Sequence, residues 1–214
     1  MANIGMIGRA GSGKSKQSIF LQEAFNLAIF NTGEGLRNMI ATKFPLEELT
    51  SKMDKGLLID DDVVLDLVTQ KLLFDHIQAD CNIHEKIKRD LPSENKVTQW
   101  ESIQRNGIII DGFPRTTNQF LSYESMISNG QLNPLLHIDF FIYLEVPREV
   151  CISRILHGAG GNRQRTDDMD EEVVHARHNE FEKYTLPMID YIQTNYPGRI
   201  FTIQQSGTKE ETAA

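Results

Sequence analysis

The chain has 214 residues, of which 40% are hydrophobic and 24% are charged, and its formal net charge is −8. This length and composition indicate one globular domain with elaborations and exclude a disordered or fibrous chain. The acidic balance argues against general binding to nucleic acid or to anionic membranes, so a polyanionic ligand would need locally concentrated positive charge. The first residues lack the pattern of a signal peptide, and no apolar run is long enough to span a membrane, so we expect a cytoplasmic protein.

Short apolar runs alternate with longer helical patterns along the chain. The runs are I-G-M-I, N-L-A-I-F, I-I-I-D, I-D-F-F-I-Y-L-E-V and R-I-F-T-I. Continuous apolar runs are typical of strands buried on both faces, and the spacing between them fits crossover helices. The pattern therefore predicts a parallel sheet in a three-layered α/β fold. Helices are predicted over residues 14–26, 34–43, 60–78, 117–129, 147–157 and 170–194.

The first apolar run leads into G-R-A-G-S-G-K-S, residues 8–15, and then directly into a helical pattern. This G-x-x-x-x-G-K-[ST] pattern between a strand and a helix predicts a phosphate-binding loop, because backbone N–H groups and the helix N-terminus face the phosphates. Gly11 and Gly13 permit the close backbone approach, Lys14 supplies a mobile positive charge, and Ser15 can help to hold Mg²⁺. We therefore expect a nucleoside triphosphate at this loop.

The predicted metal chemistry is that of magnesium and not of zinc. Asp111 ends the apolar run I-I-I-D, where it is similar to the carboxylate that positions magnesium in P-loop proteins; the alternative is a helix cap. Cys81 and Cys151 are distant in sequence and have no histidine at metal-ligand spacing, so neither a disulfide framework nor a structural zinc site is predicted.

Two stretches do not fit the sheet. Residues 76–106 are predicted to form a helical hairpin, because their apolar positions have helical spacing: Ile83, Ile87, Leu91, Val97, Trp100 and Ile103. The hairpin is either a surface elaboration or an element that uses Trp100 for self-association or to clamp the acceptor domain. Residues 157–168, H-G-A-G-G-N-R-Q-R-T-D-D, combine glycines with arginines and carboxylates. They predict a mobile loop over an anionic site, with a solvated surface loop as the alternative.

A phosphate-binding loop does not by itself identify a reaction, because GTPases, motors, transport ATPases and small-molecule kinases share it. Phosphoryl transfer between two nucleotides needs positive charge on both sides of the moving group. The candidate cations are Arg37, Arg115, Arg154, Arg163, Arg165 and Arg177.

Four further segments, which contain several of those arginines, occur in a characteristic order along the chain. They are T-G-E-G-L-R (32–37), D-K-G-L-L-I-D-D (54–61), D-G-F-P-R-T-T-N-Q (111–119) and R-T-D-D (165–168). Together with G-R-A-G-S-G-K-S they follow the order of an adenylate kinase, in a match that covers roughly residues 3–209. The chain resembles the short-lid type of that family of nucleoside monophosphate kinases, without the cysteine-bearing lid that binds structural zinc.

The resemblance implies a P-loop fold with a five-stranded parallel sheet in the order 2-3-1-4-5, a helical subdomain that binds the nucleoside monophosphate (NMP), and a short lid. A single kinase domain would cover residues 1–209, followed by a tail at 210–214. Its parts would be a core (1–31, 107–156 and 169–209), the NMP-binding subdomain (32–75), the helical insertion (76–106) and the lid (157–168).

The implied activity is reversible phosphoryl transfer from Mg·ATP to AMP, giving two ADP, by a monomer. The ATP site would comprise Gly11, Ser12, Gly13, Lys14, Ser15, Lys16, Arg154 and Lys209. The AMP site would comprise Thr32, Arg37, Leu57, Leu58, Ile59, Gly112, Arg115, Gln119, Arg165 and Arg177. The catalytic cations would be Lys14, Arg37, Arg115, Arg154, Arg165 and Arg177, and Ser15 and Asp111 would hold Mg²⁺ through water.

Gln119 favours adenine as the acceptor base, because its amide offers a donor and an acceptor to the N6 and N1 edge. Kinases of UMP and CMP resemble D-G-F-P-R-N-x-x-N instead. The sequence also departs from the family pattern: Gly35 replaces a bulky residue of the acceptor pocket, and Gly158 replaces a lid arginine, so that either Arg163 substitutes for it or the contact is lost. Alternatives are therefore another NMP kinase, a kinase of a different small acceptor, or a weakly catalytic ATP-binding module.

Overall fold

A parallel sheet lies at the centre of the molecule. The computed structural model describes residues 2–43, 47–79, 106–157, 168 and 170–204. The strands are β1 (Ile4–Gly8), β2 (Ala28–Asn31), β3 (Ile108–Asp111), β4 (Phe140–Glu145) and β5 (Ile200–Gln204). All neighbouring pairs are parallel, and the spatial order is β2-β3-β1-β4-β5. The predicted α/β class and strand order are confirmed.

Helices connect the strands on both faces of the sheet. They are α1 (Lys14–Phe25), α2 (Thr32–Lys43), α3 (Glu47–Asp54), α4 (Asp61–Ala79), α5 (Thr117–Ser128), α6 (Arg148–Leu156), α7 (Glu171–Glu180) and α8 (Leu186–Asn195). A short 3₁₀ turn covers Pro134–Leu136. In the part of the chain that the structure describes, none of these helices has the length and apolar content needed to cross a membrane.

Two helical predictions differ from the structure. The predicted helix over 170–194 is divided into α7 and α8 by a π-helical turn at Phe181–Thr185. Pro187 follows this turn, has no N–H to donate and crowds the carbonyl one turn earlier, which interrupts the regular hydrogen-bond ladder. The sequence reading also missed α3, and the predicted insertion lies largely outside the described residues, which resume at Asn106.

The sheet separates two apolar clusters. The smaller packs under α1 and contains Ile4, Met6, Leu27, Ile109 and Leu144. The larger lies on the opposite face, among α4, α5 and α8, and includes Phe113, Phe120, Tyr123, Phe141, Ile189 and Ile192. The expectation that every strand is buried on both faces is wrong for β5, an edge strand on which Phe201 is 53% exposed.

Phe120 is the centre of the aromatic part of the larger cluster. It is fully buried, and its ring lies 5.9 Å from that of Phe141, 6.5 Å from that of Tyr191 and 5.0 Å from that of Tyr196, all near edge-to-face. Edge-to-face aromatic pairs stabilise a core beyond simple area burial. α5 is therefore fixed to the sheet and to α8 through one side chain.

Phe120→Ala should lower the free energy of unfolding by about 3–5 kcal/mol, because the truncation leaves a cavity among three rings. Urea denaturation monitored by circular dichroism measures this change. The control is Leu121→Ala at the next position, where the side chain is 38% exposed and the expected loss is below about 1 kcal/mol. Equal losses in the two variants would contradict the role assigned to Phe120.

Candidate active site

The predicted phosphate loop lies between β1 and α1. Its glycines Gly11 and Gly13 have φ values of 80° and 94°, in the left-handed region that favours glycine. A Cβ on Gly11 would also lie 2.5 Å from the backbone oxygen of Cys151. The loop therefore requires glycine at Gly11 for two independent reasons, and α1 begins directly after Gly13, with its N-terminal amides at the end of the loop.

Lys14 is folded back onto the loop. Its Nζ donates to the backbone oxygens of Gly8 and Arg9, at 2.7 and 2.9 Å. The pKa of Lys14 is lowered to about 8, mainly by its enclosure in the protein; the charges of Arg115 and Arg177 contribute in the same direction, and Asp111 opposes the shift. A bound triphosphate would supply negative charge next to the Lys14 side chain and would so stabilise its protonated form.

Asp111 joins the phosphate loop to the neighbouring strand. Its Oδ2 accepts from the hydroxyl of Ser15 and from the side-chain amide of Asn31, both at 2.8 Å. The Asn31 oxygen accepts in turn from the backbone N–H of Glu34 at 3.0 Å and so caps α2. A hydroxyl and a carboxylate at a phosphate loop are the oxygen donors that suit Mg²⁺, which relies on few protein ligands and on phosphate and water for the rest.

The predicted acceptor residues line the same cleft as the phosphate loop. Those of the predicted set that line it are Gly11, Gly13, Lys14, Ser15, Thr32, Arg37, Leu57, Leu58, Ile59, Asp111, Gly112, Arg115, Gln119 and Arg177. The structure thus brings most of the predicted site together. Ser12 is buried, with no hydrogen-bond partner for its hydroxyl among the described residues.

Several predicted residues are not placed in the cleft. Within the described ranges, Lys16 and Arg154 are not among the residues that line it, and the Lys16 ammonium lies 5.6 Å from the centre of the Phe20 ring. Gly158, Arg163, Arg165 and Lys209 lie outside the described residues, as does nearly all of the predicted lid. Their roles stay predictions.

Arg115 and Arg177 bring positive charge to the part of the cleft that is predicted to hold the acceptor. The Arg115 Nε donates to the backbone oxygen of Gly112 at 2.9 Å, which directs the guanidinium along the rim of the cleft. Desolvation lowers the pKa of Arg115, and the charge of Arg177 adds to the effect. Arg177 pairs with Asp168 at 2.6 Å, so the last residue of the predicted lid is attached to α7.

The loop before α4 rests on α7. Gly56 has φ 71°, and a Cβ there would lie 2.7 Å from the backbone oxygen of Val173. Two residues later, the backbone N–H of Leu58 donates to the carboxylate of Glu180 at 3.1 Å. Sequence reasoning identified the loop by its motif but missed Glu180, for which no local signal exists.

Gly35 does not widen the acceptor pocket. A Cβ at this position would lie 2.9 Å from the ring of Phe30, which is buried on β2. The aromatic ring therefore occupies the volume that a larger residue at Gly35 would fill. The glycine at position 35 therefore allows a close approach of the Phe30 ring and does not leave a vacancy.

A charged network on the outer side of the loop connects it to the π turn. Arg9 lies 3.0 Å from Glu182, and its guanidinium lies over the ring of Phe181 at 4.8 Å. Arg148, the first residue of α6, contacts the other oxygen of Glu182 at 2.8 Å. One carboxylate thus bridges the phosphate loop and α6.

His178 is fully buried on α7 beside this network. Neither ring nitrogen has a hydrogen-bond partner among the described residues. Burial lowers the pKa of His178 to about 4, and the charges of Arg9, Arg148 and Arg177 act in the same direction against Glu182. The imidazole is therefore neutral at physiological pH.

His178 should make the protein sensitive to acid. His178 takes up a proton near pH 6.5 in the unfolded chain but only near pH 4 in the folded chain. Between these values protonation favours the unfolded chain, so the free energy of unfolding is highest above pH 6.5 and falls as the pH is lowered toward 4. One such proton changes the free energy of unfolding by up to about 1.4 kcal/mol per pH unit. His178→Leu should remove this slope in urea denaturation between pH 4.5 and 7.

His157→Gln is the matched control, because His157 is exposed and should leave the slope unchanged. An unaltered pH dependence in His178→Leu would show that the acid sensitivity arises elsewhere.

The comparisons with known proteins agree with this geometry. A family model described as an AAA domain matches residues 7–175. An adenylate kinase of Flavobacterium psychrophilum is 31% identical, over 91% of this chain and 86% of the relative. Adenylate kinases of Trichodesmium erythraeum (30% identical, 90% of this chain, 85% of the relative) and Leptospira biflexa (27%, 99% and 95%) also match.

A parallel sheet with a phosphate loop and a facing set of arginines defines a P-loop phosphotransferase, and the family model and relatives support an enzyme of that class. More narrowly, the chain belongs to the adenylate kinase family. The names of these relatives support nucleoside monophosphate kinase activity.

Proposed function

We propose that the chain transfers the γ-phosphoryl group of Mg·ATP reversibly to AMP, giving two ADP. The observation that carries the proposal is a single cleft lined both by the phosphate loop and by the arginines of a second site. Lys14 would contact the donor phosphates, and Arg37, Arg115 and Arg177 would contact the acceptor phosphate. A site for one nucleotide alone would not need the second set of cations.

The residues of the cleft suit direct transfer without a covalent intermediate. Phosphoryl transfer depends mainly on in-line positioning and on stabilising charge spread over the phosphate oxygens. The amides of Gly11–Lys16 and the Lys14 ammonium would hold the donor phosphates. Ser15 and Asp111 would hold Mg²⁺, which when bound neutralises charge on the β and γ oxygens.

The acceptor phosphate would be held by guanidinium groups. A guanidinium binds phosphate oxygens with two parallel hydrogen bonds, which fixes direction as well as charge. An ion pair at 4 Å is worth about 1 kcal/mol in water but about 4 kcal/mol at an effective dielectric constant of 20. Arg115 is exposed in the free protein, so its interaction with a phosphate would strengthen when the bound nucleotides displace water from it.

Adenine is the acceptor base that the cleft suits best. Gln119 is 1% exposed and lines the cleft, where its amide can pair with the N6 and N1 edge. Thr32, Leu57–Ile59 and Gly112 line the surrounding wall. Arg154, Arg165 and Lys209 belong to the proposed site through the family resemblance alone.

A coupled assay of ADP formation should show rapid turnover with Mg·ATP and AMP, and little with UMP, CMP, dTMP or no acceptor. The expected preference for AMP follows from the amide of Gln119. A pyrimidine ring is smaller than a purine ring and would not bring its hydrogen-bonding edge as far into the cleft. Comparable rates with UMP or CMP would instead indicate a kinase of broader acceptor range. Tight ATP binding without turnover on any acceptor would contradict an enzymatic role.

Gln119→Ala should raise the KM for AMP by about tenfold or more, with little change in the KM for ATP, because the amide serves only the acceptor base. Steady-state kinetics with each nucleotide varied in turn measures the two constants. Gln131→Ala, at an exposed position after the same helix, is the control. An equal rise in both constants would remove Gln119 from the acceptor site.

A further inference from the structure

Asp61 lies behind Gln119 at the start of α4. Its Oδ1 accepts from the Gln119 side-chain amide at 2.8 Å and from the Thr116 hydroxyl at 2.9 Å. Thr116 caps α5 and accepts from the backbone N–H of Gln119 at 3.1 Å. The three side chains form a closed set of hydrogen bonds at the wall of the cleft.

The other end of the Gln119 amide is fixed by the backbone. The N–H of Arg115 donates to the Gln119 Oε1 at 2.8 Å. A backbone N–H can only donate, and a carboxylate can only accept. The oxygen of the amide must therefore face Arg115 and its nitrogen must face Asp61, since the reversed orientation would pair donor with donor and acceptor with acceptor.

Each end of the amide keeps one capacity for a ligand. An amide oxygen has two lone pairs and an amide nitrogen has two hydrogens, and the protein bonds described above use one of each. A 6-aminopurine presents a donor at N6 and an acceptor at N1, which complements such an amide. A 6-oxopurine presents the reverse, an acceptor at O6 and a donor at N1, and would require the amide to turn over.

We infer that Asp61 is a specificity-determining positioning residue, which makes the acceptor site select 6-aminopurine over 6-oxopurine monophosphates by fixing the orientation of the Gln119 amide. The inference rests on the proposed function, because it takes the monophosphate cleft as the site of the base. Asp61 itself does not touch the substrate and acts only through Gln119.

The test compares the affinities of AMP and IMP by titration calorimetry. The wild type should bind AMP more tightly than IMP. Asp61→Ala removes the acceptor that holds the amide nitrogen, so the ratio of the two affinities should fall by about tenfold. Asp62→Ala, on the exposed neighbouring residue, should leave the ratio unchanged.

Asp61→Ser provides a second test of the inference if the alanine variant does not fold. Its hydroxyl keeps a polar group in the first turn of α4 but can donate as well as accept, so it no longer dictates the amide orientation. The ratio should fall in this variant as well. Circular dichroism establishes that each variant is folded before its affinities are compared.

Equal losses of AMP and IMP affinity in the folded alanine or serine variant would overturn the inference, because they would show a purely structural role for Asp61. A wild type that does not prefer AMP would overturn it too. Failure of the proposed function has a different signature, namely no ADP formation from Mg·ATP and AMP, whereas failure of the inference alone leaves that turnover intact.

Discussion

The parallel pairing of β1, β2 and β3 determines where the chemistry of this protein can occur. Parallel strands end at the same edge of a sheet, so the residues that follow them are necessarily neighbours. Asn31 and Asp111 are register partners at the ends of β2 and β3, and Met6 of β1 pairs with the same aspartate. The phosphate loop that leaves β1 thus meets the carboxylate that leaves β3 at one place.

The second constraint is charge. The chain as a whole is acidic, yet Lys14, Arg37, Arg115 and Arg177 face a cleft in which Asp111 is one of the few opposing charges among the described residues. Desolvation and mutual repulsion lower the pKa of Lys14 and of Arg115, so the free site is electrostatically unfavourable. A polyanionic ligand would relieve that repulsion.

The fold could be predicted from local patterns, but the supporting contacts of the site could not. Apolar runs and turn motifs are local, which is why the parallel sheet, the phosphate loop and most cleft residues were predictable. The hydrogen bonds of Gln119 to Asp61, of Asn31 to Asp111 and of Leu58 to Glu180 join residues 58, 80 and 122 positions apart. Such pairs leave no periodic signal in one sequence, and the π turn before Pro187 was hidden inside an otherwise continuous helical pattern.

Helix α7 and the π turn that follows it contact both sides of the cleft. Gly56 and Leu58, in the loop before α4, rest on α7, and Glu182 of the π turn contacts Arg9 of the phosphate loop. In the proposed reaction, this stretch of chain would therefore set how far the donor phosphates lie from the acceptor phosphate. The geometry of the transfer would then depend on a wall that itself carries no phosphate-binding loop.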